Sequence, residues 1–266
     1  MRIGISPYPA SNTLAIREKL LALKPQIVRL TVEALSTWTP SWVINRVKEI
    51  RAIVPDCKVH LLLQERAVPT NLSKWLTDFA ARATTLRGYV YAYTLGNELG
   101  ALKYWSGPRE SYVPFFRAFS AALDDADPDA LIGAAGQTRG EIMGPRQNEW
   151  IAAIDDWVSF YDVHLEGPPG TFAEPIERMR KLTSYAPLWV TELTGTLGAP
   201  LTQQAKEIPL IFAEAEKAGA VCASYLPGDS RTVYGRWQPN ALLTATGKER
   251  TTYGVVKKLI AEARAN

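Results

Sequence analysis

The 266-residue chain reads as an α/β protein of the (β/α)8 type, a TIM barrel, forming a single domain over residues 1–266. Three observations predict this. Eight short β-rich runs recur at intervals of about thirty residues, the length of one strand–helix unit. Amphipathic stretches with helix-start and helix-stop signals lie between them. No linker, low-complexity tract or shift of composition divides the chain.

The β-rich runs are RIGISPY, QIVRLTVE, KVHLLLQE, YVYAYTLGNE, ALIGAAGQ, SFYDVHLEG, PLWVTELTG and AVCASYLPGD. Between the second and third, TPSWVINRVKEIRAIV offers Thr39 as a cap, Pro40 in the first turn, and Val43, Val47, Ile50 and Val54 on one face. NLSKWLTDFAARATTL sets Leu72, Leu76 and Phe79 on one stripe, and TQQAKEIPLIFAEAEKAG stops at Gly219 just before the last run. Strictly alternating strands and helices favour a parallel sheet closed into a barrel. An open doubly wound sheet would need a Gly-rich phosphate turn after its first strand, and SPYPASN is not one.

Composition narrows the function classes. The chain is 47% hydrophobic and 21% charged, ample for a large core. Its net charge of +3 comes from scattered Lys and Arg, so no nucleic-acid partner is expected. Cys57 and Cys222 stand far apart, outside any metal-ligand or disulfide spacing. No apolar run spans a bilayer and no leader is visible, so the expectation is a soluble protein, cytoplasmic as given and secreted if a leader was removed. No signal of oligomeric state is present.

In a barrel of this kind, chemistry gathers at the carboxyl ends of the strands. The polar residues there are Arg29, Glu33, Gln64, Glu65, Asn97, Glu98, Gln137, His164, Glu166, Glu192 and Asp229. Side-chain alternation puts Ala92, Thr94, Gly96 and Glu98 on one face of the fourth strand, and small residues suit the crowded interior. Leu188, Val190 and Glu192 share a face of the seventh, opposite Trp189 and Thr191, and Arg29 shares one with Ile27, Thr31 and Glu33. If the Glu192 face is axial, two carboxylates and a guanidinium converge, compensating one another's charge. Tyr8, Trp38, Tyr104, Trp105, Tyr225 and Trp237 fall at strand ends or in the following loops, where flat rings could form platforms for a ligand. His60 and Trp42, Trp75, Trp150 and Trp189 read as structural, the tryptophans facing helices.

Taken together, LGNE ending the fourth strand and WVTELTG ending the seventh resemble the clan A glycoside hydrolases, with VRLTV, DVHLE and NALLTATGKERTTYGVVKKL in support. The resemblance implies a retaining β-glycosidase on a (β/α)8 barrel, acting on a carbohydrate without cofactor or metal. Carried over residue by residue, Glu98 matches the general acid/base and Glu192 the nucleophile. Asn97 matches the residue that holds the hydroxyl beside the anomeric carbon, Arg29 the support of the nucleophile, and His164 a group lining the site. Glu65 and Glu166 are further candidates for binding substrate hydroxyls. The loops after the strands are short apart from those around Leu99–Pro108, Thr138–Pro145 and Gly228–Asn240, candidate walls of the site, and this suggests an open groove and endo action.

The third strand ends LLLQE where many relatives place a histidine, and SYLPGD lacks the tryptophan that often floors the cleaved sugar's subsite. These departures leave the sugar unspecified. Two other readings stand beside the glycosidase. One is a metal-dependent sugar isomerase or hydrolase using Glu33, Glu65, Glu98, Glu192 and His164 as ligands, although it lacks a second convergent histidine. The other is a noncatalytic carbohydrate-binding barrel, which has no need of both glutamates.

Overall fold

The computed structural model describes residues 1–6, 8, 14–144, 147–183, 186–226, 242–244 and 247–265. Among the described residues, nine strands run β1 Arg2–Ile5, β2 Ile27–Glu33, β3 Lys58–Gln64, β4 Ala92–Leu95, β5 Leu131–Gly133, β6 Gln137–Thr138, β7 Tyr161–Glu166, β8 Leu188–Thr194 and β9 Ala220–Tyr225. They form one curled sheet in the order β5-β4-β3-β2-β1-β9-β8-β7-β6, every adjacent pair parallel. Of the two terminal strands, β5 lies in the predicted run ALIGAAGQ and β6 begins at its last residue, Gln137; residues 134–136 separate them. Isolated parallel bridges join Gly133 to Phe160, just before β7, and Asn97 to Gly136.

The helices are α1 Leu14–Leu21, α2 Pro40–Ile53, α3 Leu72–Thr85, α4 Tyr112–Ala126, α5 Arg139–Met143, α6 Gln147–Ile154, α7 Ala173–Leu182, α8 Leu201–Lys217 and α9 Thr251–Ala265. Local chemistry explains their starts. Thr39 Oγ1 accepts the Trp42 N–H ahead of α2, with Pro40 in the first turn where its missing N–H costs nothing. Asn71 Oδ1 accepts the Lys74 N–H ahead of α3. Val43, Val47 and Ile50 from α2, Trp75 and Phe79 from α3, and Phe115, Phe116 and Phe119 from α4 are buried in the main core between helices and sheet. Among the described residues, no helix is long and apolar enough to cross a membrane.

A smaller cluster fills the inner face of the sheet: Ile27, Ala92, Phe160, Trp189 and Cys222. Trp189 stacks on Phe160 at 3.9 Å, and the His60 ring meets both edge-on while its Nε2 pairs with Thr94 Oγ1 at 2.8 Å. Trp189 therefore faces inward, correcting the helix-facing expectation. Tyr93 and Leu95 belong to the outer core, as alternation along β4 requires.

Candidate active site

Three strands carry the charged cluster that sits above this inner layer. On β2 alternation carries Arg29 to the same face as inward-packed Ile27. On β7 Tyr161, Val163 and Leu165 join the outer core, leaving Asp162 and His164 inside. β8 departs from simple alternation. Leu188 and Val190 belong to the outer core, so the expected common face of Leu188, Val190 and Glu192 is not axial. The pairing runs Val163↔Val190 but His164↔Glu192, so β8 carries one extra residue there. This bulge turns both Thr191 and Glu192 inward.

The result is a continuous network. His164 Nδ1 lies 3.0 Å from Glu98 Oε1. Its Nε2 lies 3.3 Å from Arg29 Nη1, 3.6 Å from Glu192 Oε1 and 3.7 Å from Asp162 Oδ1. Arg29 donates from Nη2 to Glu192 Oε1 and from Nη1 to Thr191 Oγ1, the latter at 2.8 Å. The Thr191 hydroxyl donates to Asp162 Oδ1. Arg29, Asp162, Thr191 and His164 are buried, while Glu98 and Glu192 keep 16% and 17% of their side-chain surface open to ligand.

Electrostatics follow from this packing. Burial opposes ionisation of Glu192, but the charges of His164 and Arg29 and the Arg29 hydrogen bond outweigh it and hold the carboxyl below its ordinary range. Asp162 is likewise lowered against its burial, chiefly by His164 and Arg29. Burial alone would depress His164, yet Glu192, Asp162 and Glu98 together push it up to about 10. Arg29 is thus, with His164, one of two cations on which the carboxylates of Glu192 and Asp162 depend. Arg29→Met should cost about 3–5 kcal/mol of stability, because it leaves charges buried without their partner. Equilibrium denaturation measures this, and a loss below about 1 kcal/mol would contradict the charge balance drawn here.

Glu98 is held by its backbone as much as by its side chain. Its φ is +39°, a left-handed conformation that costs a non-glycine residue about 1–2 kcal/mol. The surrounding chain fixes it. The Glu98 N–H donates to Gly136 O at 2.9 Å, and Glu98 O accepts from the Ala101 N–H at 2.8 Å. Gly136 also lies against His164: a Cβ there would come within 2.3 Å of Nε2, so glycine at this point lets the imidazole stand next to the strand.

Beside the network opens a cleft of about 320 Å³ lined by Glu98, Glu192, His164, Glu166, Lys103 and Arg139, among others. Partial burial and the charges of Glu98 and Glu192 raise the Glu166 carboxyl, with Lys103 opposing. Asn97 is 3% exposed, and its Oδ1 is buried with no hydrogen-bond partner.

Other expected site residues fall elsewhere. Tyr8 is buried and donates its hydroxyl to Glu49 Oε1 on α2 at 2.7 Å. Trp105 is buried edge-on to Tyr112, and Tyr225 is fully buried in the outer core. These three are corrected from sugar platforms to packing residues; their rings were taken up by the helix layer. Glu65 is corrected too: its Oε1 accepts from Leu35 N and Trp75 Nε1, a structural clasp. Trp38 lies under the Arg82 guanidinium and lines a separate groove of about 480 Å³ with Trp42, at the end of β2. Gln137 donates from its amide nitrogen to the carbonyls of Ala135 and Gly136. Trp237 and Asp229 lie outside the described residues. Asp162 and Thr191 went unnoticed in the sequence, although Asp162 stands two residues before His164 on the same face.

Single donor atoms of Glu98, His164 and Glu192 all lie within 4.8 Å of one another, close enough to surround a cation. The donor set does not suit a metal. Glu192 is engaged by a guanidinium, and a His164 pushed up to about 10 carries a proton where a ligand needs a lone pair. Glu33, another ligand of the metal arrangement, is exposed and 4.0 Å from Arg66.

The curled parallel sheet with its helices is a fold shared with several solved glycoside hydrolases. The chain shares its fold with a family 39 glycoside hydrolase from Bacteroides cellulosilyticus WH2 (TM-score 0.74, 14% identity, 98% of this chain and 63% of that one). It likewise matches a GH39 β-xylosidase from Caulobacter crescentus (TM-score 0.74, 16% identity, 98% and 70%). Xylanase 10B of Thermotoga maritima is similar over nearly its whole length (TM-score 0.71, 13% identity, 99% and 95%). In sequence, 134 residues are 23% identical to an α-1,4-L-rhamnosidase of Formosa agariphila, covering 48% of this chain and 26% of that protein. The chain thus spans about a quarter of that relative's length. No family model matches.

Proposed function

We propose that the chain is an O-glycosyl hydrolase that cleaves β-glycosidic bonds of a poly- or oligosaccharide with retention of configuration, Glu98 acting as general acid/base and Glu192 as nucleophile. The observation that carries this is their spacing, with one oxygen of each within 4.8 Å of the other. Inverting enzymes hold their carboxyl groups about 6.5–9.5 Å apart to admit a water, whereas retaining ones hold them about 5–5.5 Å apart. We also read the sheet as a complete (β/α)8 barrel forming one domain, with β5 and β6 the two halves of one strand lying between β4 and β7. The Gly133–Phe160 and Asn97–Gly136 bridges support that reading.

Arg29 and His164 keep Glu192 ionised, so it can attack the anomeric carbon while Glu98 protonates the departing oxygen. The resulting glycosyl ester removes one negative charge from the pair, which suits Glu98 to deprotonate the water that then releases the sugar. Asn97 Oδ1, an acceptor with no hydrogen-bond partner among the described residues, suits the hydroxyl next to the anomeric carbon. Glu166 stands where it can bind a further hydroxyl. Of the wholly described connections after the strands, the longest is the 13 residues from 96 to 108 between β4 and the next helical turn, which favours an open groove and endo action; residues 226–250, between β9 and α9, are largely outside the described residues. The glycoside hydrolase, xylosidase and xylanase names of the structural neighbours support a carbohydrate substrate.

The test is stereochemical. Proton NMR of a digest of short β-linked oligosaccharides should reveal the β-hemiacetal first, with the α-anomer growing in only at the rate of mutarotation. An α-anomer formed first would rule out double displacement.

A further inference from the structure

His164 poses a difficulty for a simple acid/base assignment. Its Nδ1 lies 3.0 Å from Glu98 Oε1, so an imidazolium there donates to the same carboxyl that has to carry a proton to the leaving group. The difficulty disappears if the proton on Nδ1 is itself mobile. Resting on the assignment of Glu98 above, we propose that Glu98 and His164 share one exchangeable proton, and that the proton delivered to the leaving oxygen is drawn from this pair.

The surroundings of the ring fit this use. Nε2 faces Glu192 Oε1 at 3.6 Å and Asp162 Oδ1 at 3.7 Å, two carboxylate oxygens that retain a proton on that nitrogen while Nδ1 gives up its own. Arg29 Nη1, 3.3 Å from Nε2, donates to Thr191 Oγ1 and does not require the Nε2 lone pair. His60 below is itself held neutral, brought down to about 3 mainly by burial, so it neither supplies nor takes the proton. Gly136 supports both members: its carbonyl accepts the Glu98 N–H, and its missing Cβ makes room for the ring. Among the described residues, the remaining charges that line the cleft beside the pair are Glu166, Lys103 and Arg139.

The steps balance. Before attack the pair is imidazolium and carboxylate, and desolvation by a bound sugar favours its neutral form, with the proton moved from Nδ1 to Glu98. In the first displacement Glu192 bonds to the anomeric carbon, and the C–O electron pair passes to the leaving oxygen. That oxygen takes the Glu98 proton, leaving Glu98 a carboxylate and His164 neutral with its proton on Nε2. In the second, water attacks the same carbon, the ester C–O electrons return to Glu192, and the proton from water passes through Glu98 back to Nδ1. His164 acts through Glu98 and is a positioning residue in this scheme.

The chain contains two histidines, so the ring nitrogens of 15N-labelled protein can be followed individually over pH, with His60→Asn identifying the other ring. His164 should carry both ring protons at neutral pH and lose one in the alkaline range. In Glu98→Gln the midpoint should fall by about one to two pH units. On phenyl β-glycosides, the alkaline limb of kcat/KM in the unaltered enzyme should coincide with the His164 midpoint, and His164→Asn, which keeps a donor but stores no proton, should move that limb down by more than one unit. A midpoint unmoved in Glu98→Gln, or a limb unmoved in His164→Asn, overturns the shared proton. The NMR arm reads the pair whether or not any glycoside turns over. Intact coupling with no turnover across the panel overturns the glycosidase reading, and with it the pair's role in protonating a leaving group.

Discussion

Glu192→Ala should lower kcat/KM on aryl β-glycosides by about 10⁴-fold or more, the scale on which loss of a covalent nucleophile stops a hydrolase. The variant should still fold, because Arg29 keeps Thr191 at 2.8 Å and Asp162 at 3.8 Å as partners. It also leaves a space beside a guanidinium that suits a small anion. With azide and a dinitrophenyl β-glycoside, activity should return in part and the product should be the α-glycosyl azide, because a single displacement from the Glu192 side inverts the carbon. Steady-state rates and NMR of the product measure both. Unchanged turnover, or a β-azide, would show that some other group attacks the sugar.

Glu98→Ala should divide substrates by their leaving groups. General acid catalysis is worth about 10²–10⁴-fold, so phenyl glycosides and oligosaccharides should lose that much in kcat/KM. Dinitrophenyl glycosides, whose aglycone departs without a proton, should lose less than about tenfold in the glycosylation step while deglycosylation becomes rate-limiting. The Glu98 backbone is already left-handed, and alanine is no better suited to that conformation than glutamate, so stability should change little. A Brønsted plot of kcat/KM against leaving-group acidity distinguishes the outcomes; equal losses across the series would remove Glu98 from the acid role.

Much of this arrangement could be read in the sequence because strand periodicity and barrel geometry reinforce one another. Alternation along IVRLTVE placed Arg29 on an inner face, and small residues along β4 marked the side on which Glu98 emerges. The failures have local causes. Glu192 reaches the cluster through a bulge that no period-2 reading contains, so it shares the inside with Thr191, while Leu188 and Val190 pack outward. Trp189 faces inward because a stacked partner, Phe160, awaits it there, and ring pairing of that kind is set by tertiary contact. Tyr8, Trp105 and Tyr225 looked like platforms because strand-end aromatics serve sugars and cores equally well; only their contacts separate the two uses. Asp162 was legible in principle, as a carboxylate amid an apolar strand and in phase with His164. Its significance depends on Thr191 and Arg29 reaching it from two other strands.

In the proposed mechanism Glu192 attacks the sugar. Fluorinated glycosides with activated leaving groups form the glycosyl ester rapidly and lose it slowly, so the intermediate accumulates on a retaining enzyme. Peptide mass spectrometry of protein treated with a panel of 2-deoxy-2-fluoro dinitrophenyl β-glycosides should find the fluorosugar on the peptide containing Glu192, at that side chain, and absent from Glu192→Ala. A label on Glu98, Glu166 or any other residue would contradict the account.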